Sequence, residues 1–463
     1  MKEQNIDPSR RRFLRNLGII TVGTSVGACK PADNSSQTGT ASATGTMTYR
    51  TNPNTGDTVS ILGYGCMRFP TLGMANGTDD QTLDQEAINK LVDRALEAGV
   101  NYFDTSPAYC MGQSEAAIGT ALARHPRDKY FIATKLSNFA PQTWPREKSI
   151  EMFENSLRYL QTDYVDYLLL HAIGGGGWDV VRQRYIDNGI LDYLKDLRSK
   201  GTIRNLGFSF HGDIDVYDKA LAMHDNGEVH WDFVQIQLNY MDWNCDKDPA
   251  NRNIDAEYLY GELEKRGIPA VIMEPLLGGR LANVPIAVVD QMKERRPDAS
   301  TASWAFRFAG TPGGILTVLS GMTYMDHLDD NLATYSPLEP ISGDEDAFLK
   351  RAAAEIRSNN TVPCNYCNYC MPCPYGLDIP AILTHYNRCI IDGNTASDPT
   401  DPDYARQRRA FLYGYDRSVP KLRQADRCIS CGTCSPHCPQ GIDIPAELHK
   451  VNRYVQKLKE NDA

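Results

Sequence analysis

Two stretches of this chain carry the same pattern, and that duplication restricts what it can fold into more than any other feature. The first is "CNYCNYCMPCPYGLDIPAILTHYNR", beginning at Cys364, and the second is "CISCGTCSPHCPQGIDIPAELHKVNR", beginning at Cys428. Both run through three cysteines to a Cys-Pro, then a glycine, a branched residue, Asp-Ile-Pro-Ala, a leucine and Asn-Arg. A repeat of this length is beyond chance. The chain has 13 cysteines, and eight of them sit in these two tight clusters. Spacing of that kind favours metal ligation over disulfide cross-links.

The second copy has the spacing C-x2-C-x2-C-x3-C-P, which holds a 4Fe–4S cluster and sends its last cysteine to a partner cluster. The first copy departs from it, because only two residues separate Cys370 from Cys373. Zinc is the alternative for paired C-x2-C spacings. The duplicated unit resembles the two-cluster bacterial ferredoxin family. By that resemblance Cys364, Cys367 and Cys370 with Cys438 bind one 4Fe–4S cluster, and Cys428, Cys431 and Cys434 with Cys373 bind the other. The shortened spacing leaves the role of Cys373 open.

Upstream, residues 59–335 alternate short β-rich runs with amphipathic stretches. Strands are expected at 59–65, 102–105, 130–135, 165–171, 203–210, 233–239, 270–274 and 315–320. Between them fall helical stripes such as Ile150, Phe153, Leu157 and Leu160, spaced by three and four. Eight strands with intervening helices predict an α/β chain folded as a (β/α)8 TIM barrel, followed by a small ferredoxin-like domain of helices and loops. A doubly wound sheet is the competitor, but "ILGYGCMRFP" lacks the G-x-G-x-x-G turn such a sheet needs after its first strand.

Reactive side chains stand at the ends of these strands. Asp104 closes the second, with Tyr109 in the loop beyond; Lys135 closes the third and His171 the fourth. In a barrel, the carboxyl ends of neighbouring strands share one mouth, where active sites form. Taken singly, each has an ordinary reading: a solvated lysine, a packed tyrosine, a core histidine. As a set, in this chain order, they resemble the aldo-keto reductase family. The resemblance implies interconversion of a carbonyl and an alcohol, with Tyr109 as general acid or base. Lys135 would lower the phenol pKa, Asp104 would hold the lysine, and His171 would bond the substrate oxygen.

The same resemblance places Ser209 and Gln235 on a nicotinamide carboxamide and His327, Asp330 and Asn331 near the far end of a dinucleotide. Phe210 stands where the family has Asn, Met273 where it stacks a Tyr, and Met322 where it carries a Lys. The cofactor expected is therefore NAD or NADP without commitment to either, and a flavin is the alternative. The glycine run 174–177 is read as a flexible loop rather than a phosphate cradle. Of the remaining cysteines, Cys66, Cys110 and Cys245 fall near barrel loops and Cys389 follows the first cysteine unit; Cys110 merits attention for its place beside Tyr109.

The first residues form a third region. "SRRRFLRNLGII" resembles the twin-arginine export motif, and the weakly apolar stretch after it ends in Val-Gly-Ala before Cys29. The expectation is a signal peptide over 1–29 whose end resembles a lipoprotein box, leaving Cys29 either as a lipidated N-terminus or as incidental to an ordinary cleavage near the Ala, and export to the periplasm or cell envelope. A Ser/Thr/Gly-rich tether follows over 30–48, the barrel over 49–340, and the cluster domain over 341–463. The net charge of −10 argues against a nucleic-acid partner. Membrane association is expected only through a lipid at Cys29.

These readings combine into an exported oxidoreductase acting on a small, sugar-like carbonyl or alcohol. Its electrons would pass through two clusters to an external one-electron carrier. Two alternatives stand beside it. One is an enzyme without net redox change that holds its nicotinamide tightly. The other is a non-catalytic electron-transfer module on a retired barrel.

Overall fold

The computed structural model describes residues 46–76, 80–243 and 255–460. The twin-arginine stretch, Cys29 and Cys245 lie outside them. Eight parallel strands close a barrel in the order β10-β3-β4-β5-β6-β7-β8-β9. They are β3 (Leu62–Gly65), β4 (Tyr102–Asp104), β5 (Phe131–Leu136), β6 (Val165–Ile173), β7 (Ile203–Phe210), β8 (Phe233–Gln237), β9 (Ala270–Met273) and β10 (Ile315–Ser320).

The run expected as one strand over 59–65 divides in two. Its first part, β2 (Thr58–Ser60), pairs antiparallel with β1 (Tyr49–Thr51), and only the second part enters the barrel. Ser60 marks the break: its hydroxyl donates to Leu62 O at 2.7 Å, and its backbone N–H donates to Asn101 Oδ1 at 2.8 Å. The β1–β2 hairpin is tied to the strands by Asn52, whose Nδ2 donates to the Tyr167 hydroxyl (3.0 Å) and to Asn205 Oδ1 (3.1 Å).

Strand parity decides which side chains face inward. Tyr102, Ala133, Tyr167, Leu169, Phe233, Val271 and Leu316 form the core inside the barrel. Leu168, Leu170, Leu206 and Ile236 belong to the separate layer between strands and helices. Two residues beyond Tyr102, Ala133 and Leu169 stand Asp104, Lys135 and His171, so the inward rows carry them to the carboxyl end of the barrel. Ser209 and Gln235 are register partners on β7 and β8. The helices obey ordinary end rules: Asp84 accepts from Ala87 N at 3.0 Å at the start of Gln85–Glu97, and Arg146–Leu160 buries Phe153 and Leu160 of its apolar stripe.

The helix Gly343–Ser358 packs with the barrel rather than with the cysteine units. Phe348, Leu349, Ala352 and Ala353 join the barrel's helix layer, and Glu345, half of a capping box with Ser342, also takes Arg307 Nη2 at 2.8 Å. Those bonds outweigh burial and hold its carboxyl at about 2. A second core begins at Val362 and contains Leu377, Ile382, Leu383, Phe411, Tyr415, Leu448 and Val451. The repeated Asp-Ile-Pro-Ala shows its purpose here. Asp378 and Asp443 each accept from the N–H three residues on (Ala381 and Ala446, both 3.2 Å) and start the helices Ile379–Ile391 and Ile444–Glu460. Among the described residues no helix is long and apolar enough to cross a membrane.

Candidate active site

At the carboxyl end of the barrel, Lys135 and Asp104 form a buried ion pair with Nζ 2.6 Å from Oδ1. Lys135 also donates to Thr105 O at 2.9 Å, and Gln235 Nε2 donates to the other carboxylate oxygen of Asp104 at 3.2 Å. Burial pushes Asp104 up and Lys135 down, and their contact opposes both shifts. The ammonium stands 4.7 Å from the centre of the Tyr109 ring, and that ring meets His171 edge-on at 5.9 Å.

Burial, more than any charge, sets the state of the Tyr109 phenol. Burial, with the Asp104 charge next in weight, drives the Tyr109 phenol well above its ordinary value. Lys135 donates to Asp104 and Thr105, with its ammonium over the Tyr109 ring. The phenol therefore stays protonated at neutral pH, the state a general acid needs.

His171 is held more closely than its position after three leucines suggests. Its Nδ1 lies 2.6 Å from Ser137 Oγ and 3.3 Å from Ser106 Oγ, and the two hydroxyls are 2.8 Å apart. Its backbone carbonyl accepts from Arg184 Nη2 at 2.7 Å. Burial, then Lys135 and Arg184, push the imidazole well below its usual range, so it is neutral. In the tautomer where Nδ1 accepts from Ser137, the proton sits on Nε2 and can be donated to a substrate oxygen. Ser106, Ser137 and Arg184 were not anticipated. The nearest signal is serine two residues after Asp104 and two after Lys135, which keeps the inward parity.

Cys110 also does something specific. It and Met111 adopt φ of 50° and 52°, uncommon for side-chain-bearing residues, and its Sγ lies 3.4 Å from Met67 O and 3.6 Å from Cys66 O. The thiol thus ties the turn carrying Tyr109 to the loop after β3. Cys66 and Cys389 are buried.

The nicotinamide residues fit in part. Ser209 Oγ accepts from Ala172 N at 2.8 Å, which leaves its O–H to donate; Gln235 uses its amide N–H on Asp104, which leaves its carbonyl to accept. One donor and one acceptor on register partners suit a carboxamide. At the other end, Asp330 accepts from Ser300 at 2.7 Å, Asn331 donates to Ser320 at 2.9 Å, and His327 is exposed beside Tyr324. There Asp330 and Asn331 serve the fold.

The first cysteine unit lies over the mouth. Arg68, after β3, donates to the carbonyls of Asn365 (2.8 Å) and Tyr366 (3.4 Å). On the loop after β9, Gly278 comes so close that an added Cβ would sit 1.9 Å from Asn365 O, at a φ of +66° that already favours glycine. Arg280 donates to Thr361 Oγ1 at 3.2 Å, and Gln440, two residues past Cys438, donates to Gln237 Oε1 at 3.2 Å. Tyr369, beside Cys370, packs 6.4 Å from Phe139, whose ring lies 4.8 Å from His171. An aromatic of the cluster domain therefore lines the barrel site.

Cys364, Cys367, Cys370 and Cys438 line a single small cavity with Ile379 and Leu383. Burial and mutual proximity push the thiols of Cys364, Cys367 and Cys370 up, Cys367 to about 12, so holding them as thiolates requires a cationic centre among them. Among the described residues no group of three or more His, Cys, Asp and Glu converges on a single-ion position. Four cysteines spread around a cavity suit a cuboidal cluster with one ligand per iron better than a tetrahedral zinc. Cys434 lies close to Cys428 and Cys431, and Cys373 packs against the same core as Cys428 and Cys434. Asn387, from the repeated Asn-Arg, braces the entry to the first unit, exchanging two 2.7 Å bonds with the backbone of Val362.

A closed eightfold barrel with a buried Asp–Lys pair, a tyrosine and a neutral histidine at its mouth, joined to a four-cysteine cavity, defines an oxidoreductase with an iron–sulfur domain. The comparisons agree. The aldo/keto reductase family profile matches residues 62–344, and a 4Fe–4S dicluster domain profile matches residues 363–444. The chain belongs to the aldo/keto reductase family. It is 25% identical to L-galactose dehydrogenase of Arabidopsis thaliana, over 67% of this chain and 95% of that protein. It is also 25% identical to the NADH-specific methylglyoxal reductase of Escherichia coli, over 64% and 95%. D-arabinose 1-dehydrogenase of Saccharomyces cerevisiae is 34% identical over 30% of this chain and 41% of that protein. An aldo-keto reductase of Bacillus halodurans in its holo form superposes with a TM-score of 0.51 at 22% identity, covering 66% of this chain and 96% of that one. The Klebsiella pneumoniae aldo-keto reductase in complex with NADPH gives 0.51 at 20% identity, covering 66% and 94%.

Burial gives the site a pH signature. His211, the residue after β7, is driven down to about 4, and His171 is also lowered. Both take up protons less readily folded than unfolded. The contribution of these histidines is therefore full above about pH 6.5 and declines as pH falls toward 4, by up to roughly 3 kcal/mol from His211, while Glu115, raised to about 7 by burial, contributes in the opposite sense over the same range. Urea midpoints of the wild type and of His211→Phe, measured between pH 7.5 and 4, should diverge as pH falls, with the wild type losing more stability than the variant.

Proposed function

We propose that this protein is an exported oxidoreductase that interconverts a small carbonyl and its alcohol at the barrel mouth, with the electrons exchanged through the two 4Fe–4S clusters. The observation that carries the reading is the position of Tyr369: next to a cluster cysteine in sequence, it stands in the wall of the Tyr109–His171 site. Oxidation of a secondary alcohol releases two electrons and two protons. Two clusters, each taking one electron, hold both until a one-electron carrier removes them.

Tyr109 holds or takes the proton of the substrate oxygen, His171 Nε2 donates to that oxygen, and the Asp104–Lys135 pair keeps the ring in place. Ser209 and Gln235 would hold a nicotinamide by its carboxamide, and when bound it supplies the hydride acceptor. The cysteine segment closing over the loop after β9 supports a cofactor held in place rather than exchanged, as export away from a soluble nicotinamide pool would require. The sugar names borne by two relatives support a sugar-like substrate. The twin-arginine start supports export, because that route suits proteins that receive clusters before translocation.

Anaerobic purification of the mature chain tests the proposal. About eight irons per chain, with a nicotinamide found by mass spectrometry of the released small molecules, is the expected result. Zinc without iron would remove the electron path, and recovery of the native protein only in the cytoplasmic fraction would remove the export reading.

A further inference from the structure

Two arginines of the barrel reach the segment that carries the first cysteine unit. Arg68 ends the short turn Cys66–Arg68 after β3, and Arg280 lies on the loop after β9. Arg68 enters the first Cys-x2-Cys itself. The two residues that separate Cys364 from Cys367 both accept from it, Asn365 O from Nη2 at 2.8 Å and Tyr366 O from Nη1 at 3.4 Å. Arg280 Nη2 donates to Thr361 Oγ1, three residues before Cys364, at 3.2 Å. Among the described residues neither guanidinium is in an ion pair. The base of Arg68 is fixed: Thr323 Oγ1 donates to its backbone carbonyl at 2.8 Å, and Ser114 Oγ donates to Cys66 O at 2.8 Å.

Two carboxyls share this region. Glu274 accepts from Gly278 N–H and from the Asn365 side chain, and Asp242 accepts from Gln237 and Asn239 at 2.7 Å each. Burial drives both carboxyls up, toward the neutral form, whereas an arginine keeps its charge. The second cysteine unit is placed differently. Cys431 is exposed, and so is Arg427 beside Cys428, where water and salt screen its charge. Reduction of an iron–sulfur cluster adds one electron and breaks no bond. A cation nearby therefore favours the reduced form and raises the potential, which net charge and hydrogen bonding around the cluster set. The same cation counts for more in a water-poor interface than on an open surface.

Resting on the oxidoreductase reading above, we propose that Arg68 and Arg280 are positioning residues for electron transfer: through them the barrel raises the reduction potential of the cluster held by Cys364, Cys367, Cys370 and Cys438, and makes it the first acceptor of electrons leaving the mouth. The cysteine motif alone does not fix that potential. It is set when the loop between Cys364 and Cys367 is seated on Arg68, so the cluster is tuned by the domain it serves.

The test is an anaerobic redox titration of the full cluster-loaded chain, followed by electron paramagnetic resonance, with no substrate present. Arg68→Met is expected to make one cluster about tenfold or more harder to reduce, a fall of about 59 mV for one electron, while the other changes less than about twofold. Arg68→Lys keeps the charge and loses the fork, and should recover most of the fall. Arg280→Met should lower the same cluster, and it decides the matter if Arg68→Met alone fails to keep its iron. Potentials that stay within about twofold in the loaded Met variants overturn the proposal. So does a fall in Arg68→Lys equal to that in Arg68→Met, which would mark a contact of shape and not of charge. Iron lost from both Met variants would mean that the arginines hold the cluster without tuning it, and overturns the proposal as well. The titration needs no turnover. A protein that shows the expected shifts but converts no carbonyl would sink the oxidoreductase reading and leave this one standing.

Discussion

Tyr109→Phe is expected to lower carbonyl–alcohol turnover by about 10²- to 10⁴-fold, the range a positioned general acid contributes. The substitution removes only the hydroxyl. The ring keeps its face toward Lys135 at 4.7 Å and its edge toward His171 at 5.9 Å, so the site stays packed. Iron content should be unchanged, because Tyr109 does not line the cysteine cavity. The loss should appear in kcat, and the variant should still bind substrate. Steady-state kinetics with an iron assay on the same preparation check it. If electron flow through the chain continued unchanged in the variant, the barrel would be a scaffold for electron carriers and not a catalyst.

Cys438→Ala is expected to remove a whole cluster, taking the iron from about eight atoms per chain to about four. Cys438 belongs to the second repeat, yet it lines one cavity with Cys364, Cys367 and Cys370 of the first. Losing the fourth ligand should therefore empty the site nearest the barrel while Cys428, Cys431 and Cys434 keep theirs. Electron paramagnetic resonance of the reduced protein should change from an interacting pair of centres to a single one, and turnover with a one-electron acceptor should collapse. Cys373→Ala is the informative partner. If it, and not Cys438→Ala, removed the cluster next to the mouth, each repeat would bind its own cluster and the crossed assignment would be wrong.

The barrel was legible in the sequence because its strands repeat a local pattern, apolar runs of fixed parity separated by helical stripes. The largest departure among the strands, at residues 59–65, arose where continuous apolar character hid a bend. Ile61 is buried on both accounts, and only the bonds of Ser60 to Leu62 and Asn101 show that the chain turns there. Asp104, Lys135 and His171 were legible for the same reason as the strands, since inward parity carries them to one rim. Asn365 over Gly278 and Ser137 under His171 were not, because each joins residues distant in sequence.

By itself the sequence determined the repeating units of this protein: eight strands, two cysteine runs, their capping aspartates, and the reactive groups at strand ends. Each is a matter of local spacing and side-chain type, which the linear order carries in full. Only the tertiary structure decided how those units act on one another. It buried the Tyr109 phenol and paired Lys135 with Asp104, and it brought Cys438 into one cavity with the first cysteine unit. It also laid Tyr369 against the barrel mouth. Burial and close approach between distant segments are properties of the folded chain, and they control both the charge states and the reach of the site.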